Sequence, residues 1–482
     1  MTRLFRATRR GIVLGALLIG AITVLTPVES QALPAFARKY DMTCSVCHTR
    51  MPRLNFFGQR FLENGYQIPG TMDGASVKKK LLGGSNGATL GKVSNYMAVR
   101  LRADVERFGF NDKDATESDD KVRIQTPDVI NIFFAGTAAK NISFFFETEY
   151  NSREDFGGIA FERANLVFSN LAGSQGLNVK IGNFDPASFF SFPTHRQQMN
   201  PVGPEAETGD FPPDINRIPL LPLAFSSKFF GLTRAASRAG GEGFAILPFE
   251  PTSFNAPSAR GATLYGRPFG NDFLYQVGLV DSTRATGERG YDYYAMLRYD
   301  YVRGEYWAAN VSAFYYRSPE SANLTSMGSM GGMGSGMGSS MGGASSGADN
   351  QIAVADMTRY GIGARVNYKT LDIFGALIFD KLDYTLPAMS ASAWDNDASG
   401  LSLEANWAAT QKWMFSTRYD KMDAGGLVAM AKNSSWLTVQ AKYYTTPNIA
   451  LYLRGHNNLE SADDSPVRNL RNAVLAGVDM AF

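Results

Sequence analysis

The chain's only two cysteines stand together with an imidazole in Cys44-Ser45-Val46-Cys47-His48. Two thiols three positions apart, followed at once by histidine, match the pattern for attaching a c-type haem. Both sulfurs can then reach the vinyl groups while His48 meets the iron from one face as the proximal ligand. Two other chemistries use parts of this string. A redox Cys-x-x-Cys pair has no need of His48, and a zinc site wants four ligands, for which His195 and His456 are the remaining imidazoles. The spacing therefore predicts one covalently bound haem c on Cys44 and Cys47, with His48 on its iron. For the distal position, a methionine sulfur would raise the reduction potential relative to a second histidine. Met72 is within chain reach and ranks first; Met42, Met51 and Met97 rank behind it, and His195 is the alternative from a loop.

The elements that must position these groups begin with one helix. Leu54, Phe57, Phe61 and Leu62 recur at i, i+3, i+7 and i+8, which makes one apolar face. Pro52 falls where a first helical turn tolerates proline, and Asn64-Gly65 supplies the stop. A piece running from Leu33 to about Leu90 buries little surface of its own and needs a staple. Covalent haem is such a staple. Ahead of it, Arg3, Arg6, Arg9 and Arg10 precede an apolar run from Gly11 to Leu25, and Ser30-Gln31-Ala32 ends in small residues. This reads as a secretory signal over residues 1–32, so the mature protein is expected to start near Leu33, beyond the inner membrane.

From about residue 91 the hydrophobic period changes to two. Met97, Val99, Leu101, Ala103 and Val105 alternate with Arg100, Arg102, Asp104 and Glu106. The same rhythm returns at Ile142–Glu147, Tyr360–Tyr368, Lys412–Asp420 and Ile449–His456. Strands of about ten residues with one apolar and one polar face are the signature of a transmembrane barrel. A water-soluble β-sandwich would show the same alternation, but its connections would be short throughout. Here tight links at Lys140-Asn141, Val302-Arg303-Gly304, Lys369-Thr370, Thr410-Gln411 and Thr446-Pro447 alternate with long ones at Phe108–Gln125, Ser318–Met357, Leu386–Ser399, Asp423–Ser434 and Asn457–Leu470. Short turns on one side and long loops on the other belong to outer-membrane barrels. Strand counting over residues 91–482 gives sixteen, an even number that returns both ends to the periplasm; it makes 185–257 one very long excursion that must be functional or folded inward. The final strand places Val474, Ala476, Val478, Met480 and the terminal Phe482 on one face, and Tyr368, Trp407, Trp413, Tyr419 and Tyr443 can supply the interfacial aromatic girdles.

Composition excludes other classes. Lys+Arg 47 against Asp+Glu 45 leaves a net charge of +2, without the basic excess that a nucleic-acid binder uses to replace counterions. After the first thirty residues no uncharged apolar run approaches the roughly 18 residues of a spanning helix. Met327, Met330, Met333, Met337 and Met341 sit among Gly and Ser within the long link 318–357, which reads as a flexible external loop. The acidic clusters Asp112–Asp120 and Glu460–Asp464 read as solvated loop charge. Lumen-facing Arg100, Arg102, Asp104, Glu147, Glu149, Arg163, Lys180, Arg365, Glu404, Arg418 and Arg454 are what a wet interior requires, with no specific role.

The expected architecture is thus an all-β transmembrane barrel of about sixteen antiparallel strands, with a small α-helical c-type cytochrome segment over 33–90 entering as a plug from the periplasmic side. At this point the chain resembles the fused cytochrome–porins that oxidise ferrous iron in the outer membrane of iron-oxidising bacteria. The resemblance rests on Pro34-Ala35-Phe36-Ala37-Arg38-Lys39-Tyr40, Cys44-Ser45-Val46-Cys47-His48-Thr49, Pro52-Arg53-Leu54-Asn55, Phe57-Gly58, Phe61 and Asn64-Gly65-Tyr66. It implies an iron–cytochrome-c reductase: extracellular Fe(II) as donor, Cys44, Cys47 and His48 holding the haem, a periplasmic c-type cytochrome or cupredoxin as acceptor, and outer-membrane lipid around the barrel. Two other readings stay open, a solute-conducting porin with an accessory haem segment and a periplasmic electron carrier with a soluble β domain.

Overall fold

The structure is a computed structural model that describes residues 35–50, 53–68, 96–110, 121–139, 141–151, 159–173, 175–184, 259–270, 272–283, 289–303, 307–319, 354–385, 395–423, 434–459 and 470–481. The signal segment, the 185–257 excursion, the methionine-rich link, both acidic clusters, His195, Met51, Pro52, Met72 and Phe482 lie outside those residues.

Strong alternation commits the chain to strands, and closure satisfies every strand edge. Sixteen strands form one closed antiparallel barrel. In chain order the first eight are β3 (Met97–Phe110), β4 (Lys121–Ala139), β5 (Ile142–Asn151), β6 (Ile159–Phe168), β7 (Asn178–Phe184), β8 (Ala259–Gly266), β9 (Phe273–Thr283) and β10 (Arg289–Arg303). The second eight are β11 (Trp307–Ser318), β12 (Val354–Tyr368), β13 (Leu371–Thr385), β14 (Asp395–Trp407), β15 (Trp413–Asp423), β16 (Ser434–Thr446), β17 (Ile449–Asn458) and β18 (Leu470–Ala481). The last strand closes on the first, with Ala481 opposite Arg100 and Val478 opposite Ala103. Closure needs no edge to be protected, and it returns both ends of the barrel to the side of the short turns.

Several strands outrun the sequence reading. Both ends of the expected link 108–125 are paired, since β3 runs to Phe110 and β4 begins at Lys121; β14 likewise begins at Asp395, inside the expected link 386–399. On β14 the added residues Asp395-Asn396-Asp397 carry no alternation to mark them, whereas on β4 Val122 and Ile124 keep it and are exposed.

The two faces of the wall settle which side meets lipid. Val105, Phe146, Leu166, Leu279, Leu297, Val311, Ile362, Leu403, Val439, Leu453 and Val474 are exposed on the outside. Their neighbours Asp104, Glu147, Arg163, Arg298, Arg365, Glu404, Arg454 and Asp479 are buried on the inside. In a soluble β-sandwich the apolar face would be the covered one, so that alternative fails. An apolar exterior on a closed sixteen-strand cylinder is the arrangement of an outer-membrane barrel. Near the short turns, Trp307 packs on Tyr368 at 5.1 Å and Trp413 on Tyr443 at 5.0 Å between ring centroids, an interfacial girdle; Tyr419 sits higher on β15.

The lumen wall is not uniformly polar. On β9 to β13 the buried inward set includes Val280, Met296, Phe314, Phe374 and Ile378. Inward-facing side chains are covered around the rest of the ring too: Met414 is 0%, Asp479 1% and Arg454 4% exposed.

Inside the short-turn end lies the amino-terminal segment. It comprises α1 (Ala35–Tyr40), the one-turn α2 (Cys44–Cys47), a hairpin of β1 (His48–Arg50) and β2 (Arg53–Leu54), and α3 (Phe56–Glu63). The helix expected from Leu54 begins later. Leu54 is instead paired with His48 in the hairpin, because Asn55 caps α3 by accepting a hydrogen bond from the Gly58 amide at 2.8 Å. Asn64 ends α3, and Gly65, at φ 65°, turns the chain back. That position also touches the barrel wall: a Cβ there would lie 2.5 Å from the Ser143 hydroxyl of β5.

Candidate functional site

The attachment turn is built from the backbone outward. Asn55 is its clip. Its side-chain amide donates to the carbonyls of Val46 at 2.9 Å and Ser45 at 3.3 Å, and its backbone amide donates to the Cys47 carbonyl at 2.9 Å. One residue therefore both caps α3 and fixes the carbonyls of the turn that carries the thiols. Gly58 lets the two elements meet, since a Cβ there would stand 2.1 Å from the Cys47 oxygen and 2.9 Å from Leu54 Cδ2. His48 follows the turn with extended backbone, so its imidazole leaves the same end of α2 as the Cys47 thiol.

These groups open on one cavity of about 130 Å³. Cys44, Cys47 and His48 line it together with Phe36, Tyr40, Phe57, Phe61, Leu62 and Tyr66. The aromatic wall is braced internally and against the barrel. Phe36 stacks on Tyr66 at 5.3 Å and meets Phe61 edge-on at 5.0 Å, and Tyr66 stacks on Phe145 of β5 at 5.4 Å. Two thiols and one imidazole on the rim of an otherwise apolar, aromatic-walled space are a donor set that fits a flat porphyrin held by two thioethers and one nitrogen.

The electrostatics weigh against the other reading of the thiols. Burial pushes the Cys47 thiol up to about 11, with the neighbouring Cys44 adding to the shift. Burial also raises Cys44. A disulfide-exchange pair needs a lowered thiol pKa, and both shifts run the other way. The thiols are not joined to each other. Among the described residues no cluster of three or more His, Cys, Asp and Glu gathers as an ion site.

The other sequence candidates scatter. Met42 lines the cavity, although the sequence ranks it behind Met72, which lies outside the described residues, as do Met51 and His195. Met97 begins β3, with its carbonyl accepting from Arg38. His456 sits on β17, buried, its Nδ1 2.8 Å from the Thr438 hydroxyl of β16, and belongs to the barrel wall.

Two ion-pair clusters fasten the segment to the barrel. In the first, Asp372 of β13 accepts from Arg53 Nε at 2.8 Å and from Arg365 Nε and Nη2 of β12, each at 2.9 Å. Arg365 Nη2 also donates to the Leu54 carbonyl at 2.7 Å. In the second, Glu63 at the end of α3 accepts from Arg267 at 2.6 Å and from Arg298 of β10, and both arginines share Asp300. Tyr265 of β8 adds a hydrogen bond to the Glu63 carbonyl at 2.9 Å, and Lys39 reaches the Thr137 hydroxyl of β4 at 3.0 Å. Arg365, which the sequence leaves without a role, is thus a docking group. Glu63 and Asp372 are missed altogether, and Asn55 figures only in the family resemblance, without a role. Asn55 carries the one legible signal, an Asx residue three positions before Gly58 at the start of an apolar face. Glu63 is a lone acid on that face, and Asp372 looks like any lumen residue.

No family model matches this chain, and no curated protein matches it either. Among solved structures, it is similar to an anion-selective porin from Comamonas acidovorans, with TM-score 0.48 and 14% identity over 80% of this chain and 99% of that one. It is also similar to OmpF of Salmonella typhi in complex with daunomycin, with TM-score 0.45 and 10% identity over 82% and 99%. The outer membrane channel DcaP of Acinetobacter baumannii aligns with TM-score 0.43 and 12% identity over 83% and 99%.

Proposed function

We propose that this protein is an outer-membrane electron conduit that carries one c-type haem in its amino-terminal segment and passes electrons from extracellular Fe(II) to a soluble periplasmic acceptor. The observation that carries the reading is the convergence of Cys44, Cys47 and His48 on one aromatic-walled cavity held inside the short-turn end of the barrel. Cys44 and Cys47 would hold the haem through thioethers, and His48 would supply the proximal nitrogen. When bound, the haem supplies a one-electron ferric/ferrous couple. The chain's own residues do the rest. Asn55 holds the attachment turn in register, Phe36, Phe61 and Tyr66 exclude water, and the two ion-pair clusters keep the segment seated as a plug. Fe(II) as donor, and a c-type cytochrome or cupredoxin as acceptor, come from the family resemblance of residues 34–66.

The test is stopped-flow mixing of Fe(II) with the oxidised, detergent-purified protein. Reduction of a c-type absorption spectrum at acidic or neutral pH is expected; a chromophore that stays ferric throughout makes iron the wrong donor.

A second reading is a solute channel, supported by the sixteen-strand wall and its inward arginines and carboxylates. It requires an open path through the barrel; the buried inward Asp479 and Arg454 are held by wall neighbours on adjacent strands, Arg100, Lys442 and Gln440, and do not by themselves close one. Single-channel recording in a planar bilayer separates the two, because steady open-channel conductance of the full chain would favour the channel.

A further inference from the structure

Two neighbouring short turns crowd the attachment hairpin, and their exposed side chains share a sign. Lys369 stands on the β12–β13 turn and Lys412 on the β14–β15 turn, both exposed. Arg50, two residues beyond His48, donates to the Thr410 carbonyl on that second turn at 3.0 Å. The other arm of the hairpin, Arg53 and Leu54, is tied to Asp372 and Arg365 close to the first turn. Arg50, Lys369 and Lys412 therefore flank one side of the segment that carries Cys47 and His48. Of the acids at this end among the described residues, Glu63, Asp300, Asp372, Glu404 and Asp479 are buried; Asp41, on the segment three residues before Cys44, and Asp272, just before β9 and well round the ring, are exposed.

We propose that this basic arc is the docking surface for the soluble electron acceptor, which would present an acidic face around its own redox centre. The proposal rests on the electron-conduit reading. Charges at an interface rim steer encounter and orientation more than they hold a complex, which suits a partner that must arrive, take one electron and leave. Anionic lipid is the competing occupant of such charges, and the Lys369 ammonium lies 5.3 Å from the ring centroid of Tyr368 in the girdle. Arg50 decides for the protein partner: it belongs to the hairpin inside the ring, whereas headgroups meet the outside.

The experiment uses the full haem-loaded chain in nanodiscs of zwitterionic lipid, with an acidic and a basic soluble c-type cytochrome of similar size as probes. Surface plasmon resonance reads association and dissociation; stopped-flow reads one-electron transfer from the prereduced chain. The acidic probe is expected to associate at least about tenfold faster than the basic one at low salt, with the advantage lost near 0.5 M salt, as for steered association. The double variant Lys369→Glu/Lys412→Glu should slow the acidic probe by roughly tenfold and speed the basic one. Equal association of both probes, or no response to the double variant, overturns the docking surface. If the variant alters only behaviour in nanodiscs containing anionic lipid, the arc is a headgroup contact and the proposal falls. A purified chain without a c-type spectrum sinks the conduit reading and the docking surface with it, whereas a normal spectrum with indifferent probes sinks the docking surface alone.

Discussion

Replacing Asp372 by asparagine should loosen the amino-terminal segment while leaving the barrel closed. Asp372 is fully buried and accepts three charged hydrogen bonds, one from Arg53 of the segment and two from Arg365 of the wall. Removing one partner of a buried ion pair costs about 3–5 kcal/mol, because the remaining charge stays buried without it. Only part of that cost is relieved by undocking: Arg53 can leave with the segment, but Arg365 remains on β12. Assigning roughly half to the segment gives about 2 kcal/mol, or about thirtyfold in the population of its open state. Hydrogen exchange of peptides spanning residues 53–63, read by mass spectrometry in detergent, measures this local opening. The control is Asp479→Asn, which removes a carboxylate held by Arg100 and Lys442, away from the segment. Faster exchange at 53–63 in Asp372→Asn alone is expected. If the two variants exchange alike there, the ion pair does not seat the segment.

Further outcomes follow from the same contacts. The intact mass of the mature protein should exceed that of the polypeptide by one haem, with no alkylatable thiol after denaturation; two free thiols would remove the cofactor from the account. Asn55→Asp keeps the cap on α3 but loses both donations to Ser45 and Val46, so it should lower the covalently loaded fraction nearly as much as Asn55→Ala; full loading in Asn55→Asp would reduce the residue to a cap worth about 1 kcal/mol. Gly58→Ala forces a methyl into the Cys47 carbonyl and should cost about 1–3 kcal/mol by overpacking, read as a drop in loading and in the melting temperature of the segment. In protein matured without haem, the neutral Cys47 thiol is favoured by burial, so its stabilising share is complete below the ordinary thiol range and is lost as pH rises toward about 11. Iodoacetamide labelling should accordingly be slow at pH 8 and accelerate above pH 10.

The barrel was legible because membrane strands repeat a simple rule many times. Alternation at Met97–Glu106 or Lys412–Asp420 needs no partner to be seen, and parity of the turns makes the strand number even. Boundaries were less legible: β14 begins at Asp395-Asn396-Asp397, where polar residues on both faces hide the period, whereas at 121–125 the alternation of Val122 and Ile124 is there to be read, inside the expected link. The helix start was misplaced for a local reason, since Leu54 fits the apolar face by spacing but Asn55 ends the extended chain first. That Cys44, Cys47 and His48 face one cavity is legible in the sequence because the three lie within five consecutive residues.

The amino-acid sequence by itself determined the proximity of Cys44, Cys47 and His48, the two-residue period and the even count of strands, all of which are patterns that survive without knowledge of contacts. Only tertiary structure decided that Met42 lines the cavity, that Arg365 and Asp372 grip the segment, and that β9, β10, β11 and β13 turn apolar side chains to the interior. The grip on the segment joins residues more than three hundred positions apart, and a guanidinium on an isolated strand looks the same whether water, a carboxylate or another segment's carbonyl will receive it.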